Sequence, residues 1–480
     1  MRLTAERERG GVGRDARGSA LGHRRLALPA LLLGSFMGVL DPFVVTVALP
    51  AIRSDLGATA AQAQWIVAGY GVTYGTGLVL GGRLGDRYGR RRLFLAGMSG
   101  YVAASLVAGT APAAGSLVGA RLAQGLAAAA VLPQVLSIIR SSYAIGERER
   151  AVGWYGATIG LGVVFGPAFG GLLVGLDIAG LGWRTAFLVN LPLGAVVLAG
   201  AALAVGESRG DGVRDLDLLG AALGAAALLA LFVPVSHGPE SGWPWWTVAL
   251  LAAVPALVAG FLVHERRHRA PVLPPHLFAE RRFSAGIVVV LLLYAAGAGA
   301  PLVFVLTQYL QDGLGRSPLE TGLVFAPLGL GFAVASAVAP RLTRAGAAIP
   351  AAGSGIVAMA LGALVLVATS APEDLQPALV ALVMLVAGLG QGFATNPVIS
   401  LVLTAVPDSA AGAASGLLLT TTQVGNVVGV TGVGGAFMAL LPPGPSPAPA
   451  YGPALAWSSA LLAGATVAAS IIILARLRTA

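Results

Sequence analysis

Three observations predict an all-α polytopic membrane protein. Only 11% of the residues are charged and 56% are hydrophobic, with a mean hydropathy of +0.82, whereas about a quarter of a soluble domain is charged. Apolar runs long enough to cross a bilayer, about 20 residues each, follow one another from Leu26 almost to the C-terminus. The remaining charges gather between those runs. All 30 basic residues are Arg, and the net charge of +9 sits in short clusters without interleaved aromatics. That pattern reads as a set of topology determinants and not as a nucleic-acid surface.

In chain order, residues 1–25 form a polar tail expected to be disordered and cytoplasmic. The run that follows sits behind a basic segment, as a secretory leader would, but it is too long for one and no soluble chain comes after it. Spans are expected near 26–49, 64–82, 93–112, 116–137, 151–175 and 183–205, an N-terminal six-helix bundle over 26–205. A linker over 206–283 opens with the polar stretch Glu207 to Asp217 and carries two further spans, near 217–236 and 245–263. It ends in a basic stretch, His264 to Arg282. Pro, Gly and three Trp between Pro234 and Trp246 mark an outer interfacial hairpin with an aromatic belt. Six more spans, near 284–306, 318–340, 349–369, 377–404, 411–437 and 451–475, form a C-terminal bundle over 284–475. The expected count is fourteen. With both termini cytoplasmic, only Arg53, Arg121, Arg184 and Arg316 of the 30 arginines fall off the cytoplasmic side, as the positive-inside rule requires. Shifting the topology by one helix would invert the bias.

The most charged turn is Gly81 to Arg92, reading G-G-R-L-G-D-R-Y-G-R-R-R. Five arginines in ten residues cannot lie in hydrocarbon, and the glycines permit tight turning or close packing. The stretch resembles the signature loop G-x-x-x-D-R-x-G-R-R of the major facilitator superfamily, with Gly82, Asp86, Arg87, Gly89, Arg90 and Arg91 in register. The resemblance implies two six-helix bundles that rock about a central site, here with two extra central helices. It also implies a conformational latch: Asp86 is expected to meet the positive N-terminal end of the helix beginning near Ala411 in the outward-facing state.

Within the first span, Leu40 to Pro50 reads L-D-P-F-V-V-T-V-A-L-P. A carboxylate inside a span is costly unless it faces water or a partner, which makes Asp41 a functional candidate. The segment resembles the first-helix motif of the fourteen-helix drug:proton antiporter family, L-D-x-T-x-V-N-V-A-L-P, although Phe43 and Thr46 stand where Thr and Asn are usual. In the fourth span, Arg121, Gln124 and Gly125 resemble that family's R-x-x-Q-G. An Arg in hydrocarbon keeps its proton and needs an acid or carbonyl partner; the resemblance assigns Asp41 and Arg121 to proton coupling. A cation beside a carboxylate favours its ionised form, and withdrawing the cation favours the proton.

The fifth span carries G-V-V-F-G-P-A-F-G-G, which resembles the superfamily's antiporter motif through Gly162, Gly166, Pro167, Gly170 and Gly171. Small residues at four-residue spacing let helices approach closely, and Pro can bend the span. Trp183 and Arg184, in W-R-T-A-F-L-V-N-L-P-L-G, are expected to anchor the outer surface. The stretch around Gly412 to Gly429 resembles the family's penultimate helix. Gln124, Gln391, Asn396, Gln423 and Asn426 are candidates for a cavity wall, and the last four are equally candidates for hydrogen bonds that hold helices together. The loop Pro340 to Arg344 resembles a decayed copy of the Asp86 loop.

The expected function is export of small amphipathic compounds in exchange for protons, in the cell membrane, by a monomer. The alternative is a proton-coupled importer or facilitator on the same fold. No cofactor or metal site is expected. Without Cys there is no thiolate chemistry, and without Lys no ATP-binding P-loop. The five His are placed in loops or tails, which argues against a membrane-embedded enzyme.

Overall fold

A computed structural model describes all residues except 1–4, 144, 210–216, 269–274, 298, 340, 343–345, 371–376, 405, 407–410, 443–447 and 478–480. The first helix, α1 (Ala5–Leu56), crosses as Leu26–Leu56. Its bounds extend back to Ala5. Next come α2 (Ala60–Tyr88), α3 (Arg90–Gly109), α4 (Ala114–Ser142), α5 (Ile145–Gly175), the short α6 (Thr185–Leu188) and α7 (Asn190–Ala204).

The linker forms a helical hairpin, α8 (Leu218–Ser241) and α9 (Trp245–Arg267). Asp217 caps α8 by accepting from Gly220 N at 2.8 Å. At the turn, Gly242 takes the left-handed conformation (φ +69) and Trp243 and Trp245 are exposed. Trp243, Trp245 and Trp246 thus stand together at that end. His237 lies inside α8 and His264 inside α9, so not all the histidines are in loops or tails. Both positions sit at the edge of an apolar run, where hydropathy alone does not say whether the helix continues.

The second half comprises α10 (Arg281–Ala296), α11 (Ala300–Gln308), α12 (Pro318–Val338), α13 (Ala348–Ser370), α14 (Pro377–Thr404), α15 (Ala411–Ala439) and α16 (Ala448–Arg476). The span expected at 284–306 is thus broken between α10 and α11. Gly297 ends α10 in an extended conformation, and because a Cβ there would collide with Gln391, a glycine lets α14 pass this closely.

Among the described residues, eleven helices are long and apolar enough to cross a membrane, or twelve with the bent α5 taken as one span. The protein is an all-helical, polytopic membrane protein. The two remaining long helices, α2 and α15, each have 29 residues and are rich in Gly and Thr. They pack on each other, and α8 packs on both. The two halves also meet through α5 on α12 and through α1 on α11.

Candidate functional site

Asp41 lies midway along the crossing part of α1 at 2% exposure, and Arg121 and Gln124, one turn apart on α4, are fully buried. Arg121 Nη1 donates to Asp41 Oδ2 and to Gln124 Oε1, the latter at 2.6 Å. Its Nε donates to the Ile66 carbonyl on α2 at 2.9 Å, and its guanidinium stacks over the Tyr70 ring with 4.6 Å to the centroid. Gln124 Nε2 donates to Asp41 Oδ1 at 2.9 Å and to Ser105 Oγ on α3 at 3.0 Å. Asn190 of α7 extends the chain by donating to Ser105 Oγ at 3.3 Å.

Both Asp41 oxygens therefore accept hydrogen bonds, and five helices contribute to one dry polar cluster. Gln124, expected on a cavity wall, instead bridges acid and base. Ser105, Asn190 and Tyr70 were not expected; Asn190 stands in the stretch that begins at Trp183 but was not singled out in it, Ser105 and Tyr70 belong to no motif, and only their convergence marks the three. An ion pair in such surroundings is stable only when every group is satisfied. One donor, Arg121 Nη2, has no hydrogen-bond partner among the described residues.

Next to this cluster stands α5. Cβ atoms at Gly162, Gly166 and Gly170 would lie 3.1 Å from Val39 Cγ1, 2.7 Å from Phe43 Cβ and 2.7 Å from Val44 Cα, all on the stretch of α1 that carries Asp41. The opposite face abuts α12: Gly171 packs against the Pro318 carbonyl, and a Cβ at Gly322 would lie 2.7 Å from the Pro167 carbonyl. The helix bends by 49° between its segments Arg150–Val163 and Phe165–Gly175. Pro167 accounts for the bend, because its missing N–H frees the carbonyl one turn earlier. The antiporter-like glycines thus wedge α5 between the helix bearing Asp41 and the other half of the molecule.

The Asp86 loop is ordered inside the first half. Asp86 Oδ1 accepts from Arg90 Nη2 at 2.8 Å and Nε at 3.0 Å, and Arg90 Nη1 reaches the Ser137 carbonyl at 3.4 Å. Gly89 has φ +111 and joins α2 to α3. Glu207, unremarked in the sequence, caps α3: its carboxylate accepts from Arg91 N at 3.1 Å and Arg92 N at 3.2 Å, an anion on a helix N-terminus. Arg91 Nη2 donates to the Ala202 carbonyl at 2.6 Å. Gly82 is half-buried, and Arg87 is exposed beside Tyr88. The side chains of Ala411, Gly412 and Ala413, and residues 407–410, lie outside the described residues, as do Pro340 and Arg344 of the second-half loop. Asp86 is engaged with Arg90, on its own side of the molecule.

At the opposite end the halves are joined. Arg53 Nη1 pairs with Asp312 Oδ2 at 3.3 Å, and Gln311 Nε2 donates to the Val47 carbonyl at 2.9 Å. Asp55, at the end of α1, accepts from Trp183 Nε1 at 3.0 Å and Arg184 Nη1 at 2.8 Å.

The second-half candidates divide. Gln391 is buried and ties α14 to the Leu293 carbonyl at 3.4 Å. Gln423 is half-buried on α15, where its Cβ would be 3.1 Å from a Cβ at Gly75 of α2. Asn426 is also half-buried, and Asn396 is exposed. Sequence reading missed Thr307 and Gln308, which are fully buried on α11; the Thr307 hydroxyl and both amide atoms of Gln308 have no partner among the described residues. A buried, unpaired amide is costly, and no motif announced it. An apolar cleft of about 370 Å³, lined by Phe36, Leu40, Phe165, Phe169 and Leu323 among others, opens where α1, α5 and α12 meet.

The model of the Major Facilitator Superfamily matches residues 31–430. The chain is 36% identical over 430 residues to the probable actinorhodin transporter of Streptomyces coelicolor, covering 87% of this chain and 73% of that one. It is 37% identical over 412 residues to the puromycin resistance protein pur8 of Streptomyces alboniger, covering 84% and 80%. The crystal structure of a bacterial homolog to the human lysosomal transporter Spinster, in an inward-facing and unoccupied conformation, superposes with a TM-score of 0.61 at 19% identity over 95% of each chain. The matched length, the helical architecture and the two polar helix motifs in register agree: the chain belongs to the major facilitator superfamily.

Proposed function

We propose that this protein exports small amphipathic compounds, of the antibiotic or secondary-metabolite class, in exchange for protons by alternating access. The observation that carries the reading is the Asp41, Arg121 and Gln124 cluster, a titratable acid held against a permanent cation away from water. Protonating Asp41 removes the charge that holds Arg121, and the freed guanidinium must then find other acceptors. Proton binding is thereby coupled to side-chain rearrangement beside α5, whose glycines touch both halves. The relatives named for antibiotic transport and resistance support export.

In this reading the halves are residues 26–205 and 284–475, and α2 and α15 complete fourteen spans. The Arg-rich loops and both termini are cytoplasmic, and the protein works as a monomer in the cell membrane. The contacts of Arg53 with Asp312 and of Gln311 with Val47 then close the outer side, leaving Asp86 released from its latch partner.

The test is ΔpH-driven accumulation of a fluorescent amphipathic dye in everted membrane vesicles. Wild type is expected to accumulate dye and lose it on addition of a protonophore, while Asp41→Asn, which keeps the shape but cannot titrate, accumulates none. Full, protonophore-sensitive accumulation by Asp41→Asn would move the coupling site elsewhere.

A further inference from the structure

At the open end of the hairpin of α8 and α9, opposite its turn at Gly242, residues 264–268 read H-E-R-R-H. Histidines four residues apart share one helical face, and this spacing is a metal-chelating one in many zinc proteins. His264 is in the last turn of α9, and His268 is its C-cap. Facing them is Asp217, the N-cap of α8, whose side chain is 1% exposed. His264 Nε2 lies 2.7 Å from Asp217 Oδ1, and His268 Nδ1 lies 3.8 Å from Asp217 Oδ2. The three donor atoms fall within 4.8 Å of one another. Donors on one tetrahedral zinc ion lie about 3.3 Å apart, and the two observed spacings bracket that value.

Two further features point to a cation. Asp217 Oδ2 is buried and accepts no hydrogen bond among the described residues. The neighbouring Glu265 is 1% exposed, and a Cβ at Gly220 would strike both Asp217 Oδ2 and Glu265 Oε1. A second carboxyl thus adds acceptor oxygens next to the two imidazoles.

We propose that Asp217, His264 and His268 form a site for a divalent transition metal of the zinc class, with Glu265 beside it. Two imidazoles and a carboxylate are a borderline donor set that suits Zn²⁺ and not Mg²⁺ or Ca²⁺. Glu265 is turned towards Gly220 and Asp217, so the site is a clasp and not a peptidase centre. The clasp joins the first residue of the hairpin to its last. Because α9 packs on α8, and α8 rests on both α2 and α15, a bound ion would brace the hairpin against the two helices through which the halves meet. The inference does not depend on what the transporter carries.

The experiment uses the purified full chain in detergent, with any affinity tag removed, titrated with Zn²⁺ against a chromophoric chelator. Wild type is expected to bind one Zn²⁺ per chain and to melt at a higher temperature when loaded. His264→Gln and His268→Gln each weaken binding at least tenfold, while His237→Gln, on the far end of α8, leaves it unchanged. Co²⁺ should give the visible absorption of a four-coordinate ion, lost in the double His264→Gln, His268→Gln variant. Monodisperse elution of both histidine variants shows that they fold, whatever Asp217→Asn does to the cap. Substoichiometric binding by wild type, or equal affinity in the double variant, overturns the site and leaves a hydrogen-bonded Asp and His clasp in its place.

Discussion

Arg121 has three jobs that a point charge cannot do together: it donates from Nε to the Ile66 carbonyl and from Nη1 to both Asp41 and Gln124. A planar guanidinium meets that geometry and an ammonium does not. Arg121→Lys is therefore expected to lose dye export despite keeping its charge, measured in vesicles matched for expression; normal export would show that charge alone suffices. Arg121→Leu leaves Asp41 buried without its cation, which costs about 3–5 kcal/mol and should appear as a lowered melting temperature in detergent. Gln308 presents the opposite case. Its amide is buried with no partner among the described residues, so Gln308→Leu should stabilise the protein by about 1–3 kcal/mol while reducing export, if the amide awaits cargo. Raised stability with unchanged export would assign Gln308 no part in transport.

At the scale of elements, the glycines of one motif are not equivalent. Gly89 has φ +111, and a Cβ there would lie 2.7 Å from the Glu207 carboxyl, so Gly89→Ala strains the joint between α2 and α3 and displaces the cap of α3. A loss of about 1–3 kcal/mol is expected, read from thermal melting. Gly82 has only Pro133 Cβ within reach, at 3.9 Å, and Gly82→Ala should melt as wild type does. Equal melting of both variants would mean that the joint is not held in this conformation. In α5, the faces of Gly166 and Gly171 are filled by different halves of the molecule, which explains why small residues recur at two registers along one helix.

For the molecule as a whole, transport by rocking requires the joined end to open. The absence of Cys from the chain gives a clean background for testing this. A Cβ at Gly175, at the end of α5, would lie 3.1 Å from Leu319 Cβ on α12, so a slight outward shift brings the pair to the roughly 3.5–4.5 Å that a disulfide spans. Oxidation of the Gly175→Cys, Leu319→Cys double variant should stop export, and reductant should restore it. Full export by the cross-linked protein would rule out separation of α5 and α12 as part of the cycle. The pairing of Arg53 with Asp312 across the same end is partly exposed and so contributes little stability; such a contact can break in every cycle.

Much of this was legible in one dimension. Composition and span length announced a polytopic helical protein, because hydrocarbon imposes a length and excludes charge. Asp41 and Arg121 stood out singly, since an ionised group in a span needs a reason. Their union with Gln124, Ser105 and Asn190 was not legible, because the partners come from helices as much as 85 residues apart and each is an ordinary polar residue. For the same reason the bridge that Gln124 makes between Arg121 and Asp41 was not foreseen, Glu207 went unnoticed as the cap of α3, and H-E-R-R-H acquired its third donor only when the hairpin brought Asp217 beside it. Solvent and hydrocarbon act on every residue in turn, so the sequence alone determined which segments lie in the membrane and which groups there are costly. Which of those groups satisfy one another depends on distances set by helix packing, and only the tertiary structure decided that.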